Sequence, residues 1–211
     1  CNFKCDHCQV THWDKPKSEL SIDSFVHITK QFPNLMLVKI QGMGEPFLNK
    51  STIDMFENLD QQGIATTTTS NGSVLTNKLI NRLSKLKQTS VSFSMDGATK
   101  STFEGIRIKG NFDKVTANIK KLSAHCSNLN LNFWIVVTNK NYQECEGIVD
   151  VAKQTGIPKI TFQTYLTSWG KDEMDEKNKV KIAKPVDIKT HIDKAIFKGQ
   201  TADIQVNKFE G

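Results

Sequence analysis

The sequence predicts an α/β fold, a partial (β/α)6 TIM-like barrel with parallel strands, and two observations support this prediction. Short runs of strand length, either apolar or β-branched, alternate with helical stretches five times along the chain. Repeated strand–helix units are typical of a parallel sheet, and their right-handed crossovers place the helices on one face. At 211 residues, the chain is long enough for one domain with a hydrophobic core.

Each predicted strand has its own local signal. Residues 35–40 form a short apolar run, and residues 64–69 contain consecutive threonines, whose β-branched side chains favour an extended backbone. Val91, Phe93 and Met95 alternate with polar residues, as in a strand with one buried face. The predicted strands are 35–40, 64–69, 89–95, 130–138 and 160–165.

The helices are predicted from apolar side chains at three- and four-residue spacing. The first begins at Ser21 and ends at Pro33, because proline cannot continue a helix. Thr76 is predicted to be an N-cap, since its hydroxyl can accept a hydrogen bond from a free backbone N–H. The predicted helices are 21–32, 53–62, 76–86, 102–106, 112–122 and 142–154.

The last part of the chain differs in composition from the repeats. It has more lysine and fewer apolar residues, and Ile192, Ala195 and Ile196 indicate a short helix. We therefore expect the barrel to occupy residues 1–170. Residues 171–211 are expected to be a C-terminal cap or a linker to a truncated domain.

A doubly wound open sheet is the alternative arrangement for this pattern. The first clear strand is not followed by the glycine fingerprint of a dinucleotide site, so the barrel is favoured. In barrels of this kind the chemistry lies at the carboxyl ends of the strands. The residues at those ends are Gly44-Glu45, Ser70-Asn71, Ser94 to Asp96, Thr138 and Tyr165.

Charge and cysteine content narrow the classes of function. The net charge is +6 and the pI is near 9.0, but the lysines are scattered among acidic residues without an arginine-rich or aromatic stripe. We therefore expect no nucleic acid partner. No apolar run reaches the length of a membrane span, so no membrane partner is expected either. An odd count of 5 cysteines favours the reducing cytoplasm over a disulfide framework.

Cys1, Cys5 and Cys8 have the spacing C-x3-C-x2-C, which lets three thiolates converge on one metal centre. A structural zinc site or an electron-carrying [4Fe-4S] cluster takes four protein ligands. Three cysteines therefore favour a cluster with one open iron, although thiols without metal remain an alternative. An electron carrier or a non-catalytic zinc-binding module would need a fourth ligand. The candidates for that ligand are His7, His12, Cys126 and Cys145.

The cysteine spacing resembles the C-x3-C-x-aromatic-C signature of the radical SAM superfamily, with His7 at the aromatic position and hence beside the cofactors. Over residues 1 to about 170 the chain is similar to the SPASM-type peptide modifiers and the molybdenum-cofactor-protein-like subgroup. The resemblance implies a [4Fe-4S] cluster on Cys1, Cys5 and Cys8 whose open iron is chelated by S-adenosylmethionine. It also implies a first barrel strand before Cys1, which is missing from this sequence.

Two strand ends resemble the cofactor-binding elements of this family. The turn after the first predicted strand resembles the glycine-glycine-glutamate element, which implies that Gly44 and Glu45 hold the amino group of the methionine moiety. The ends of strands 64–69 and 89–95 also resemble their counterparts. Ser70 and Ser94 there are suited to ribose hydroxyls, since a hydroxyl both donates and accepts. Asn71, which follows Ser70, is also predicted to bind the cofactor.

Further residues are assigned by the same resemblance. The segment after strand 89–95 is similar to that of SPASM-type members, which implies that Arg107 pairs with the methionine carboxylate through its planar guanidinium. The positions at which the family binds adenine correspond here to Val137, Tyr165 and Leu166. Asp96 points into the cavity of such a barrel, and it is our candidate for a substrate contact or proton acceptor.

These features predict a radical SAM enzyme that reductively cleaves S-adenosylmethionine to a 5′-deoxyadenosyl radical for hydrogen abstraction. The SPASM-type likeness favours a peptide or protein as the substrate, and small-molecule or sugar metabolism is the alternative. A reducing electron donor such as flavodoxin or ferredoxin is implied as a partner.

Overall fold

A sheet of parallel strands is central to the computed structural model, which describes residues 1–5, 7–12, 18–164 and 185–209. Numbered along the chain, the strands are β1 (Lys4–Cys5), β2 (Leu37–Lys39), β3 (Ala65–Ser70), β4 (Thr89–Ser94), β5 (Arg107–Ile108), β6 (Asn130–Val136), β7 (Lys159–Gln163) and β8 (Gln205–Phe209). The sheet order is β2-β3-β4-β6-β7-β8, and every neighbouring pair is parallel. Over these described residues β2 and β8 do not pair, so the barrel is not closed. The predicted α/β fold is confirmed.

The helices lie between the strands, as the periodicity predicts. The described α-helices are α1 (Ile22–Thr29), α2 (Thr52–Gln61), α3 (Asn77–Leu83), α4 (Lys100–Ile106), α5 (Phe112–His125), α6 (Cys145–Thr155) and α7 (Pro185–Ala202). The Thr76 hydroxyl accepts the backbone N–H of Leu79, which confirms the predicted N-cap. Within the described ranges, no helix combines the length and apolarity that crossing a membrane requires.

One face of the sheet carries the apolar side chains, and the helices pack on that face. In β4, buried Val91 and Phe93 alternate with half-buried Ser92. Phe93 is paired in register with Phe133 of β6, which is paired with Ile160 of β7, and all three belong to the main hydrophobic core. The opposite face of these three strands carries Ser92, Asn132, Thr161 and Gln163, together with Trp134.

Residues 185–209 add two elements that continue the strand–helix pattern. The helix α7 has 18 residues, longer than the short helix predicted, and β8 pairs in parallel with β7. The sequence does not predict this length because Ile188, Ile192 and Ala195 form only a narrow buried stripe on a lysine-rich helix. The predicted domain boundary at residue 170 lies outside the described residues.

A two-stranded antiparallel ladder attaches the cysteine loop to the end of the sheet. In this ladder, which joins β1 and β5, Cys5 is opposite Arg107 and Lys4 is opposite Ile108. Because β5 follows α4 and α4 follows β4, the ladder brings the cysteine loop to the segment after β4. The sequence gives no signal for this pairing, since each strand has only two residues.

Candidate cofactor site

The cysteine loop is packed against the main hydrophobic core. Cys5 is buried, Cys1 and Cys8 are half-buried, and all three contact the core. Phe3, which lies between Cys1 and Cys5, is itself buried in the core. The backbone N–H of Cys8 donates to the Cys5 carbonyl at 3.1 Å, so the chain turns back after Cys5. The three thiols therefore lie on one short loop that is anchored by an apolar side chain.

Two asparagine side chains join this loop to the end of β3. The Asn71 amide donates to Asn2 Oδ1 at 2.9 Å, and the Asn2 amide donates to Ser73 Oγ at 2.8 Å. Ser73 donates in turn to Asn71 Oδ1 through both its N–H and its hydroxyl. The Asn71 amide also lies 3.9 Å from Cys1 Sγ. Asn71, predicted as a cofactor ligand, is thus placed beside the first cysteine, while Asn2 and Ser73 carried no sequence signal for this contact.

Glu45 connects the turn after β2 to the end of β3. Its side chain is only 6% exposed, and it accepts the Ser70 hydroxyl at 2.8 Å and the N–H of Asn71 at 2.6 Å. Burial raises the pKa of Glu45, although these hydrogen bonds oppose the shift. A cation beside this carboxylate would favour its ionised form, as the predicted contact with an ammonium requires. A Cβ atom on Gly44 would lie 3.4 Å from the backbone nitrogen of Cys1, so this turn also reaches the cysteine loop.

A buried ion pair lies between the cysteine loop and the end of β4. Asp96 is completely buried, Arg107 is 7% exposed, and Arg107 Nη2 lies 2.6 Å from Asp96 Oδ2. The other oxygen, Oδ1, accepts the backbone N–H of Val136 at 2.9 Å. Arg107 Nη1 donates to Cys5 Sγ at 3.7 Å, and His7 Nε2 lies 3.7 Å from Asp96 Oδ2. The pair thus contacts two residues of the cysteine motif. Among the described residues, Asp96 Oδ2 has these charge contacts but accepts no hydrogen bond.

Burial and neighbouring charges shift the pKa values of Arg107 and Cys5 in opposite directions. Burial would lower the pKa of Arg107, but the negative charge of Asp96, joined by that of Cys5 whenever its thiol is ionised, outweighs this effect, so the pKa of Arg107 is raised. Burial raises the pKa of the Cys5 thiol, and the Arg107 guanidinium opposes that shift. An unliganded Cys5 is therefore held as the thiol, whereas a bound metal would stabilise the thiolate.

The remaining predicted residues are spread along the strand ends. The Ser70 hydroxyl is engaged by Glu45, and Ser94 is half-buried at the end of β4. Val137 follows β6, and its side chain is packed in the main core. The predicted adenine-binding residues Tyr165 and Leu166 lie outside the described residues. The roles of all these residues toward ribose and adenine stay predictions.

Glu144 is a site-supporting residue that sequence reasoning missed. Its carboxylate accepts the N–H groups of Ala98 and Thr99 and the hydroxyls of Thr99 and Thr102, which fixes the turn after Asp96. Partial burial would raise the pKa of Glu144, but these hydrogen bonds outweigh it and lower the pKa. Asp96-Gly97 indicated a turn, but nothing near it in the sequence pointed to Glu144.

The residues of the loop fit a [4Fe-4S] cluster. In the described part of the chain, no three His, Cys, Asp or Glu side chains are grouped around a position for a single ion. A cubane binds each thiolate through a different iron, so its cysteine sulfurs lie farther apart than the ligands of one ion. The three-cysteine donor set suits it, as does the Arg107 N–H directed at Cys5 Sγ. Arg107 Nε is buried and has no hydrogen-bond acceptor among the described residues, so an anionic ligand would satisfy it.

The sequence offered four candidates for a fourth metal ligand, two cysteines and two histidines. Cys126 and Cys145 are both buried in the main core, and the Cys126 thiol donates to the Ile80 carbonyl at 3.6 Å. The side chain of His12 lies outside the described residues, and His7 is directed at Asp96.

Comparison with known proteins identifies the family. Residues 1–152 match the family model described as the Radical SAM superfamily. The chain belongs to the radical SAM superfamily. The cofactors of this family are a [4Fe-4S] cluster and S-adenosylmethionine, which agrees with the chemistry of the cysteine loop. The predicted family is thereby confirmed.

Similar radical SAM proteins include cofactor-modifying proteins and maturases. The chain is 29% identical over 176 residues to the tungsten-containing aldehyde ferredoxin oxidoreductase cofactor-modifying protein of Pyrococcus furiosus, covering 79% of this chain and 49% of that protein. It is 23% identical over 157 residues to the mycofactocin maturase MftC of Mycobacterium tuberculosis, covering 74% of this chain and 40% of that protein. Streptococcus suis SuiB bound to S-adenosylmethionine matches the fold with a TM-score of 0.79 and 17% identity, over 100% of this chain and 48% of that chain. The chain spans about half the length of these relatives.

Proposed function

We propose that this chain is the S-adenosylmethionine-cleaving domain of a radical SAM enzyme. The observation that carries the proposal is that the cysteine loop is attached through Cys5, Arg107 and Asp96 to the carboxyl end of β4. When bound, the cluster and S-adenosylmethionine supply one-electron cleavage of the sulfonium to methionine and a 5′-deoxyadenosyl radical, which abstracts hydrogen from a substrate.

Specific side chains have separate roles in this proposal. Cys1, Cys5 and Cys8 hold the cluster. Glu45 accepts the cofactor ammonium, because a buried carboxylate gains most from a neighbouring cation. The Arg107 Nε–H, which has no acceptor among the described residues, donates to the methionine carboxylate, while the terminal nitrogens remain with Asp96 and Cys5.

We propose a peptide or protein as the substrate, with small-molecule or sugar chemistry as the runner-up. Structural relatives include SuiB bound to its precursor peptide SuiA, with a TM-score of 0.79. The polar face of the sheet offers neutral donors and acceptors that suit peptide amides. There Asn132 donates to Ser92 Oγ at 3.3 Å, and Trp134 Nε1 donates to Gln163 Oε1 at 2.6 Å.

Cleavage of S-adenosylmethionine by the reconstituted chain tests this function. After anaerobic reconstitution with iron and sulfide, reduction by dithionite is expected to release 5′-deoxyadenosine and methionine in equal amounts, measured by liquid chromatography and mass spectrometry. Reduced flavodoxin or ferredoxin should replace dithionite, and a sample without reductant is the control. A protein that carries the cluster but releases no 5′-deoxyadenosine contradicts the proposal.

A further inference from the structure

We propose that Arg107 and Asp96 are positioning residues that fix Cys5 and set the reduction potential of the cluster bound through it. This inference rests on the proposed function, because it requires that a cluster is bound. It goes further by giving the buried ion pair an electrostatic role, in place of the role at the substrate that the sequence predicts for Asp96.

The fold holds Arg107 against Cys5 through both backbone and side chain. The two residues are opposite each other in the antiparallel ladder of β1 and β5, and Arg107 Nη1 donates to Cys5 Sγ at 3.7 Å. With Arg107 only 7% exposed, little water can screen its charge. Hydrogen bonds to the sulfurs and nearby charges are among the main determinants of the potential of an iron–sulfur cluster.

Asp96 neutralises Arg107 and is itself held by the sheet. Its Oδ2 lies 2.6 Å from Arg107 Nη2, and its Oδ1 accepts the N–H of Val136. Its backbone carbonyl accepts the Asn141 amide at 3.0 Å. His7, in the cysteine motif, lies 3.7 Å from the same Oδ2. Asp96 therefore has little freedom to move, and the contacts extend continuously from the sheet to the cysteine loop.

The two charges act on the potential in opposite directions. Reduction adds a negative charge to the cluster, so the Arg107 cation favours the reduced state and raises the potential. Asp96 disfavours the reduced state and lowers the potential. A residue that acts only by supporting the loop has no such dependence on the sign of its charge.

Redox titration of the reconstituted cluster, followed by electron paramagnetic resonance without S-adenosylmethionine, tests this inference. Arg107→Gln is expected to lower the potential and Asp96→Asn to raise it. Each shift should be on the order of tenfold in the one-electron equilibrium constant, or about 59 mV. Arg107→Lys, which keeps the charge, should shift it less than Arg107→Gln does. Lys100→Gln is the matched control, because it removes an exposed cation paired with Asp113 and should leave the potential unchanged.

The possible outcomes separate this inference from the proposed function. Shifts of opposite sign in Arg107→Gln and Asp96→Asn support it. Shifts in the same direction, or unchanged potentials, overturn it while leaving the proposed function intact. If Arg107→Gln does not fold, the Asp96→Asn variant tests the inference alone. An unchanged or lowered cluster potential in Asp96→Asn then contradicts it. A wild-type protein that assembles no cluster overturns the proposed function and this inference together.

Discussion

Replacing any one of Cys1, Cys5 or Cys8 by alanine is expected to abolish the [4Fe-4S] cluster. In the proposed site the loop supplies three thiolates and leaves one iron open, so removal of one thiolate would leave only two to hold the cubane. Iron and sulfide per chain, together with the visible absorbance, should fall to the background of unreconstituted protein. The effect should be the same for all three variants, because in the proposed site each thiolate binds a different iron.

Cys126→Ala is the matched control for this loss. Its thiol is also buried, but it donates to the Ile80 carbonyl within the core. This variant should keep the cluster of the wild type. A complete cluster in any of the three loop variants contradicts the ligand assignment, and loss of the cluster in Cys126→Ala would favour the electron-carrier alternative.

Arg107→Met is expected to lower the free energy of unfolding of the chain by about 3–5 kcal/mol, because it leaves Asp96 charged and buried without its partner. Urea denaturation of the unreconstituted protein measures this loss. The double variant Arg107→Met with Asp96→Asn should recover much of it, since no isolated charge remains and the Asn side chain can still accept the N–H of Val136.

Arg82→Met provides the matched surface control. Arg82 Nη2 lies 2.6 Å from Asp54 Oδ1, and Arg82 Nε donates to Glu57 Oε1 at 2.7 Å, but all three side chains are partly exposed. Water screens such exposed contacts, so this variant should lose no more than about 1 kcal/mol. Equal losses in Arg82→Met and Arg107→Met, or a double variant no more stable than Arg107→Met, would contradict the buried-pair account.

The strands were predictable where apolar residues recur at short and regular intervals along the chain. The alternation of Val91, Phe93 and Met95 and the apolar run before Val137 predicted β4 and β6, and both are formed. The strand β8 was not predicted because its residues are mostly polar and half-buried or exposed. Its pairing with β7 depends on the position of α7, and tertiary context of that kind leaves no periodic signal in the sequence.

The candidate site was predictable in its components but not in its contacts. The spacing of the three cysteines and the Gly44-Glu45 turn are local features of the sequence. The approach of Arg107 to Cys5, by contrast, depends on a two-residue ladder between segments about a hundred residues apart. The hydrogen bonds that the turn after Asp96 donates to Glu144 likewise join segments that are distant in the sequence. Contacts of this kind follow from the assembled sheet rather than from any local pattern.

The central claim, that this chain holds a cluster with an iron open to S-adenosylmethionine, is tested most directly by electron paramagnetic resonance of the reduced, reconstituted protein. Addition of S-adenosylmethionine should change the spectrum of the [4Fe-4S] cluster, because the cofactor becomes a ligand of the open iron. The same addition to Cys5→Ala should produce no cluster spectrum. A wild-type cluster whose spectrum is identical with and without S-adenosylmethionine, or a protein that binds no iron, would contradict the claim.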